Sequence, residues 1–330
     1  MADFPAMPEG LTVGPLHPGD AAAVAALLAA AEHLDDMGEY PDAEEMAEWW
    51  TGWDVDFARD GLAVCDRSGL LVAYAVVMAQ RTFRGAFRIY FEGRVRRDQR
   101  GLGIGRALLA WQRERGVELH AERHPEIEAR LCVGVAATMP ALQRLVEQAG
   151  FTAERWFRDM ERPLTDLPAP QPVAGVELVP FTPDRDDEVR RAHNAAFTEH
   201  YGSSERDAES WQRLFTGQHS FRPDLSVLAL EDGVVVAYAL AYVFEADTTA
   251  TGKRLIHFGQ IGTLPRARGR GLAAAVIVEA LRTAAERDCQ MAGLQVDAEN
   301  VTGAFRLYEK LGFITTRTSV SWEQELAPAR

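Results

Sequence analysis

The sequence predicts a tandem α/β protein: two domains in series, each a mixed, twisted sheet flanked by helices. Three observations predict it. First, four segments recur in order. Residues 11–16 resemble 176–181, 72–75 resemble 236–239, 100–105 resemble 268–273, and 149–151 resemble 311–313. The separations stay near one value, as one duplicated unit with a loop insertion or two would give. Second, Pro163, Pro168, Pro170 and Pro172 fall between the copies. They can continue neither a helix nor a central strand, so they form a semi-rigid linker. Third, in each copy a strand runs into glycines that open a helix, the start of a parallel crossover. The expected boundaries are a first domain at 1–162, a linker at 163–174 and a second domain at 175–330.

Each copy has the same order of elements. A short strand (about 11–15; 176–180) precedes a helix (21–32; 186–197), with Pro18 and Asp20, or Pro183 and Asp184, as start signals. A polar stretch with tryptophans follows. Next comes a strand pair, clearest at 226–230 and 234–243, where Glu231-Asp232-Gly233 is a hairpin turn. A further strand enters the glycine turn and its helix, which in the second copy is the apolar run 272–281. Another strand (129–135; 293–296), a short helix, Gly-Phe and a last strand (155–162; 317–324) complete the copy.

Composition narrows the function. With 35 basic against 49 acidic residues the net charge is −14, which excludes bulk attraction to nucleic acid or an anionic membrane. No apolar run approaches the roughly 20 residues that cross a bilayer. Residues 1–8 lack a basic stretch followed by an apolar one, so secretion is not indicated. Cys65, Cys132 and Cys289 are widely spaced, which fits a reducing cytoplasm and buried thiols and gives no metal signature. The expectation is a cytoplasmic monomer or homodimer without a metal.

The stretch 259–273 carries the chemistry. Gly269 and Gly271 let the backbone approach a ligand, and the first amides of the following helix lack internal partners, so the turn is an anion cradle. Neither a Gly-Lys-Ser/Thr nor a Gly-x-Gly-x-x-Gly pattern is present here, so it is not the usual nucleotide loop. The motif Arg268-x-x-Gly271-x-Ala273 is followed by Asn300-x-x-x-Ala304-x-x-x-Tyr308-x-x-x-Gly312-Phe313. Together they resemble the two signatures of the GNAT acyltransferases, and the likeness extends to both halves. Its closest flavour is the tandem, two-domain actinobacterial group that includes mycothiol synthase.

The resemblance implies two acyl-CoA N-acyltransferase domains and acetyl-CoA as cosubstrate. It implies transfer of acetyl to a primary amine of a small molecule by direct attack in a ternary complex. Arg268, Gly269, Arg270, Gly271, Leu272 and Ala273 would hold the pyrophosphate. Ile261, Gly262 and Thr263 would pair with the pantetheine arm, an amide near Ile261 meeting the carbonyl oxygen. Asn300 would cap a helix or touch that arm. Tyr308 would protonate the departing thiolate. The general base is glutamate in several relatives and falls here on His257, a neutral imidazole able to accept a proton directly or through water. Gln260 cannot act as a base, and Glu92 matches it in the first half.

The first half retains Val95, Arg100, Gly101, Gly103 and Gly105 as a possible coenzyme A loop. Val146 and Thr138 stand where the tyrosine and asparagine should be. A valine donates no proton, so this half reads as catalytically degenerate. The acidic run at 35–45 and Trp49, Trp50 and Trp53 read as a solvated helix face over buried tryptophans. His193, His200 and Tyr201 fall at the expected substrate rim. Two other readings stay open: a non-catalytic coenzyme A-binding or structural protein, and an acyltransferase using another acyl-CoA or an oxygen acceptor.

Overall fold

The computed structural model describes residues 6–53, 55–170, 172–198, 203–299 and 303–328. The first half contains β1 (Thr12–Pro15), α1 (Ala21–Asp35), α2 (Ala43–Gly52), α3 (Phe57–Asp60), β2 (Gly61–Cys65), β3 (Leu71–Ala79), β4 (Phe87–Val95), α4 (Ile104–Arg123), β5 (Ala129–Ala136), α5 (Pro140–Gln148) and β6 (Thr152–Pro163). The second contains β7 (Val176–Pro180), α6 (Asp186–Ala196), α7 (Ala208–Trp211), β8 (Val227–Glu231), β9 (Val234–Tyr242), α8 (Glu245–Thr251), β10 (Leu255–Thr263), α9 (Leu272–Glu286), β11 (Met291–Asp297), α10 (Ala304–Lys310) and β12 (Ile314–Leu326). The predicted repeat and element order hold. The second half adds α8 between β9 and β10.

Local chemistry explains the boundaries. Asp42 caps α2 by accepting the amides of Glu44 and Glu45, and Glu45 reaches back to the Asp42 amide. Asp232 and Gly233 both take positive φ (52° and 79°), the turn that a two-residue hairpin demands. The wholly apolar β3 is buried along its full length, as a strand covered on both faces must be. Trp50 is buried as expected, but Trp49 is exposed at the surface of α2.

The chain forms two compact units. One comprises residues 1–156 and 319–330, the other 157–318. In the first, the order is β1-β2-β3-β4-β5 followed by the 319–326 part of β12, and only β4–β5 is parallel. In the second, the 157–163 part of β6 is followed by β11-β10-β9-β8-β7, and only β10–β11 is parallel. The units therefore depart from the boundaries expected at 162 and 175. Each takes its last strand from the far end of the other half's sequence. Residue alternation along a long strand sets its faces but not its neighbour. The proline segment is not a free spacer either: Leu164 lies in the second unit's core, and its amide donates to the Gln290 carbonyl.

Each sheet is covered on both faces. In the first unit, α4 and α5 pack Ile104, Leu108, Trp111 and Val146 against one face, and α1 and α2 pack Val24, Leu27, Met46 and Trp50 against the other. In the second, α9 and α10 cover one face with Leu272, Val276, Leu281 and Tyr308, while α6 and α7 cover the other with Val189 and Trp211.

Candidate active site

In the second unit, β10 and β11 pair in parallel from Leu255↔Met291 to Phe258↔Leu294, and there the pairing stops. Beyond Phe258, β10 pairs with β9 only, and β11 pairs with β6 only. Residues 259–263 thus keep one backbone edge without a strand partner among the described residues, where β10 and β11 part. Beyond that edge the chain reaches the glycine turn, where Gly269 and Gly271 have φ of 79° and 84°. Both are open: an added Cβ would meet no atom within 4 Å. Gly271 is the first flanking residue of α9, which has no side-chain cap, so its leading amides are free to bind an anion.

The arginines of the turn are engaged elsewhere. Arg268 donates to the Ala196 carbonyl at the end of α6 (2.9 Å). Arg270 and Arg266 both pair with Glu231, at 2.7 and 3.1 Å. What these positions offer an anion directly is therefore backbone.

A bulge shapes the rest of the site. Phe258 faces Ala241 and Gln260 faces Leu240, so Gly259 is an extra residue on β10. Ile256 and Phe258 lie in the core beneath α9, and Ile261 packs against that core. His257, Gln260 and Gly262 consequently share the opposite face with Tyr238 and Tyr242. Without the bulge, Gln260 would turn to the α9 side. The Tyr242 hydroxyl donates to Gln260 Oε1 (2.8 Å), and Phe244 meets His257 edge to face at 6.0 Å. Tyr238, opposite Gly262, lies so close that a Cβ on Gly262 would sit 2.5 Å from its ring and hydroxyl oxygen. His193, stacked on Phe197, is 2.9 Å through Nδ1 from that hydroxyl.

His257 is partly exposed, yet the packing around its ring is dense. Burial pulls its pKa down to about 4, opposed by the nearby Glu161 carboxylate. It is neutral at pH 7 and a weak base. Tyr308 is buried on α10 against Phe313. Burial pushes its phenol up to about 12, and no described residue hydrogen-bonds it. Asn300, His200 and Tyr201 lie outside the described residues.

The first unit repeats the parting strands and the glycine turn but not the residues around them. β4 and β5 pair from Phe87↔Ala129 to Phe91↔Val133 and then part. Gly101 and Gly103 again have positive φ, and Gly103 precedes an uncapped α4. Here β4 pairs with β3 without a bulge, and Arg94 stands opposite Tyr74 as Gly262 stands opposite Tyr238. The buried Asp35 accepts two bonds from Arg100 (2.7 and 2.8 Å) and lies 3.6 Å from Arg94. Thr138 donates to the Asp35 carbonyl, and Arg94 reaches Met139. The end of α1 thereby bridges β4 to the segment after β5. Arg100 also donates to the Val95 carbonyl. Glu92 accepts from Tyr74 and Trp49, and Val146, in the place of Tyr308, is fully buried.

A family model described as "Acetyltransferase (GNAT) family" matches residues 187–313. The mycothiol acetyltransferase of Streptomyces avermitilis is 30% identical over 325 residues, which cover 95% of this chain and 94% of that protein. The chain belongs to the GNAT family of acetyltransferases. The mycothiol acetyltransferase of Frankia casuarinae is 33% identical over 244 residues, 69% of this chain and 66% of that relative. Among solved structures, a tandem GNAT protein from the clavulanic acid biosynthesis pathway shares the fold, with a TM-score of 0.70 over 97% of this chain and 100% of that one, at 18% identity. GNAT acetyltransferases take their acetyl group from acetyl-CoA. The GNAT match encloses β10, the glycine turn and Tyr308, and it excludes the first unit's turn. No helix among the described residues is long and apolar enough to cross a membrane.

Sequence reasoning named His257, Gly262 and the turn, and the structure brings them onto one strand and its outlet. It missed the neighbouring Tyr238–His193 and Tyr242–Gln260 pairs. Tyr238 was visible only as a repeat match to Tyr74. Its partner His193 comes from α6, and the packing of that helix on the sheet is something no local pattern encodes.

Proposed function

We propose that the second unit transfers acetyl from acetyl-CoA to a primary amine of a small molecule, and that the amine precursor of mycothiol is the acceptor to try first. The observation that carries this reading is the 259–263 edge of β10, without a strand partner among the described residues, leading through the 264–271 turn to the uncapped N-terminus of α9. The α9 amides and the open turn of Gly269 and Gly271 suit a pyrophosphate. The edge formed by Ile261, Gly262 and Thr263 suits the amide-bearing pantetheine arm, with a backbone amide near Ile261 available to the carbonyl oxygen as it gains charge.

The acceptor reaches the thioester from the face of His257 and Gln260. Its nitrogen lone pair attacks the carbonyl carbon, a C–N bond forms, and collapse of the adduct breaks the C–S bond. His257 is too weak a base to strip an ammonium ion, so the amine arrives unprotonated. After attack the nitrogen is far more acidic, and its proton passes to His257 or to water. Tyr308, still protonated at neutral pH, gives its proton to the leaving sulfur.

The similarity to mycothiol acetyltransferases supports the choice of acceptor. The Asp35–Arg94–Arg100 bridge and Val146 support assigning turnover to the second unit rather than the first. The test is release of coenzyme A thiol on mixing the protein with acetyl-CoA and that amine, with the product checked by mass. Amine-dependent release with one acetyl gained supports the reading. Release with other small amines but not this one overturns the acceptor, and release with none overturns the function.

A further inference from the structure

The bulge at Gly259 gives Gln260 a place in the site that a regular strand would deny it. Its side chain lies on the acceptor face, between His257 and Gly262 in sequence, and is partly exposed. One end of its carboxamide is fixed, because the Tyr242 hydroxyl donates to Oε1 at 2.8 Å. Tyr242 is 3% exposed, and burial raises its phenol pKa, so it remains a neutral donor. The other end, Nε2, carries two N–H donors and has no partner among the described residues. A carboxamide held at one end and free at the other is a positioned donor on the wall of a reaction site.

We propose that Gln260 determines acceptor specificity by donating a hydrogen bond from Nε2 to an oxygen that the acceptor carries close to its reactive amine, such as the carbonyl of an aminoacyl amide. The inference rests on the acetyl-transfer reading of the second unit. A site built to bond a substrate oxygen rejects the analogue lacking it, because the donor is then left unpaired in a desolvated place. An acceptor that carries such an oxygen is therefore preferred, through Gln260, over a matched alkylamine that lacks it.

The experiment measures kcat/KM for an aminoacyl amide and for a matched alkylamine without the carbonyl, in the wild-type protein and in Gln260→Leu, Gln260→Glu and Tyr242→Phe. Gln260→Glu keeps the shape and the bond from Tyr242 but loses the donors. Wild-type protein should favour the amide by roughly 10- to 100-fold. Gln260→Leu and Gln260→Glu should both reduce that preference to within about 3-fold, with the loss in amine KM and little change in acetyl-CoA KM. Tyr242→Phe should fall between. An unchanged acetyl-CoA KM also establishes that each variant is folded. Equal use of both amines by the wild-type protein overturns the inference, as does an undiminished preference in Gln260→Glu. A wild-type protein that turns over neither amine overturns acetyl transfer itself, and this inference with it.

Discussion

At the scale of single residues, Tyr308, His257 and Gly262 make separable predictions. Tyr308→Phe should lower kcat by about 100-fold or more, the usual worth of a positioned acid, while acetyl-CoA KM changes by less than about 3-fold. The melting temperature should hardly move, because no described residue bonds the lost hydroxyl. His257 speaks through stability. Its folded pKa of about 4 lies below its open-chain value of about 6.5. Between those values the unfolded chain binds a proton that the folded chain refuses, so stability should fall as pH drops from about 6.5 to about 4. The partial exposure of the ring limits the effect to the order of 1–2 kcal/mol. Urea midpoints across that window should fall less steeply in His257→Phe than in the wild-type protein. Gly262→Ala should cost about 1–3 kcal/mol in urea unfolding, since its methyl meets the buried Tyr238 ring at 2.5 Å.

At the scale of elements, the paired strands and the turn were legible, and the bulge was not. Strand β9 and the Asp232-Gly233 turn follow from alternation and from the residues that accept positive φ. The opening of α9 follows from two glycines before an apolar helix. Helix α8 left no such trace, because its three threonines are poor helix formers and its sequence reads as a loop. The bulge at Gly259 is a difference of register between two strands, and one strand's sequence does not contain it. Hence the positions of Tyr308 on a helix and of the turn before α9 could be read in advance, whereas the shared face of His257, Gln260, Tyr242 and Tyr238 could not. At the end of α1, Asp35 is buried against Arg100 and Arg94. Asp35→Ala leaves those cations without their counter-charge and should destabilise the first unit by about 3 kcal/mol in denaturant unfolding. Acetyl-transfer kinetics should stay close to wild type.

At the scale of the whole molecule, the repeat is the feature that the sequence announces most clearly, and the strand exchange is the one it conceals. Residues 157–163 complete the second unit, and 319–326 complete the first. A fragment cut at the proline segment, residues 175–330 alone, therefore lacks the strand that pairs along β11. It should expose that edge and aggregate or melt well below the intact chain, as size-exclusion chromatography and thermal denaturation would report. The two turns remain comparable within the full-length protein, and that permits the most direct test of which one works. A carboxylate placed at the N-terminus of a helix repels a pyrophosphate there. Acetyl-CoA turnover should be compared for Gly271→Asp and Gly103→Asp in otherwise intact protein. The account predicts that Gly271→Asp lowers kcat/KM for acetyl-CoA by about 100-fold or more, while Gly103→Asp leaves it within about 3-fold. The opposite ranking, or an equal loss from both, would contradict it.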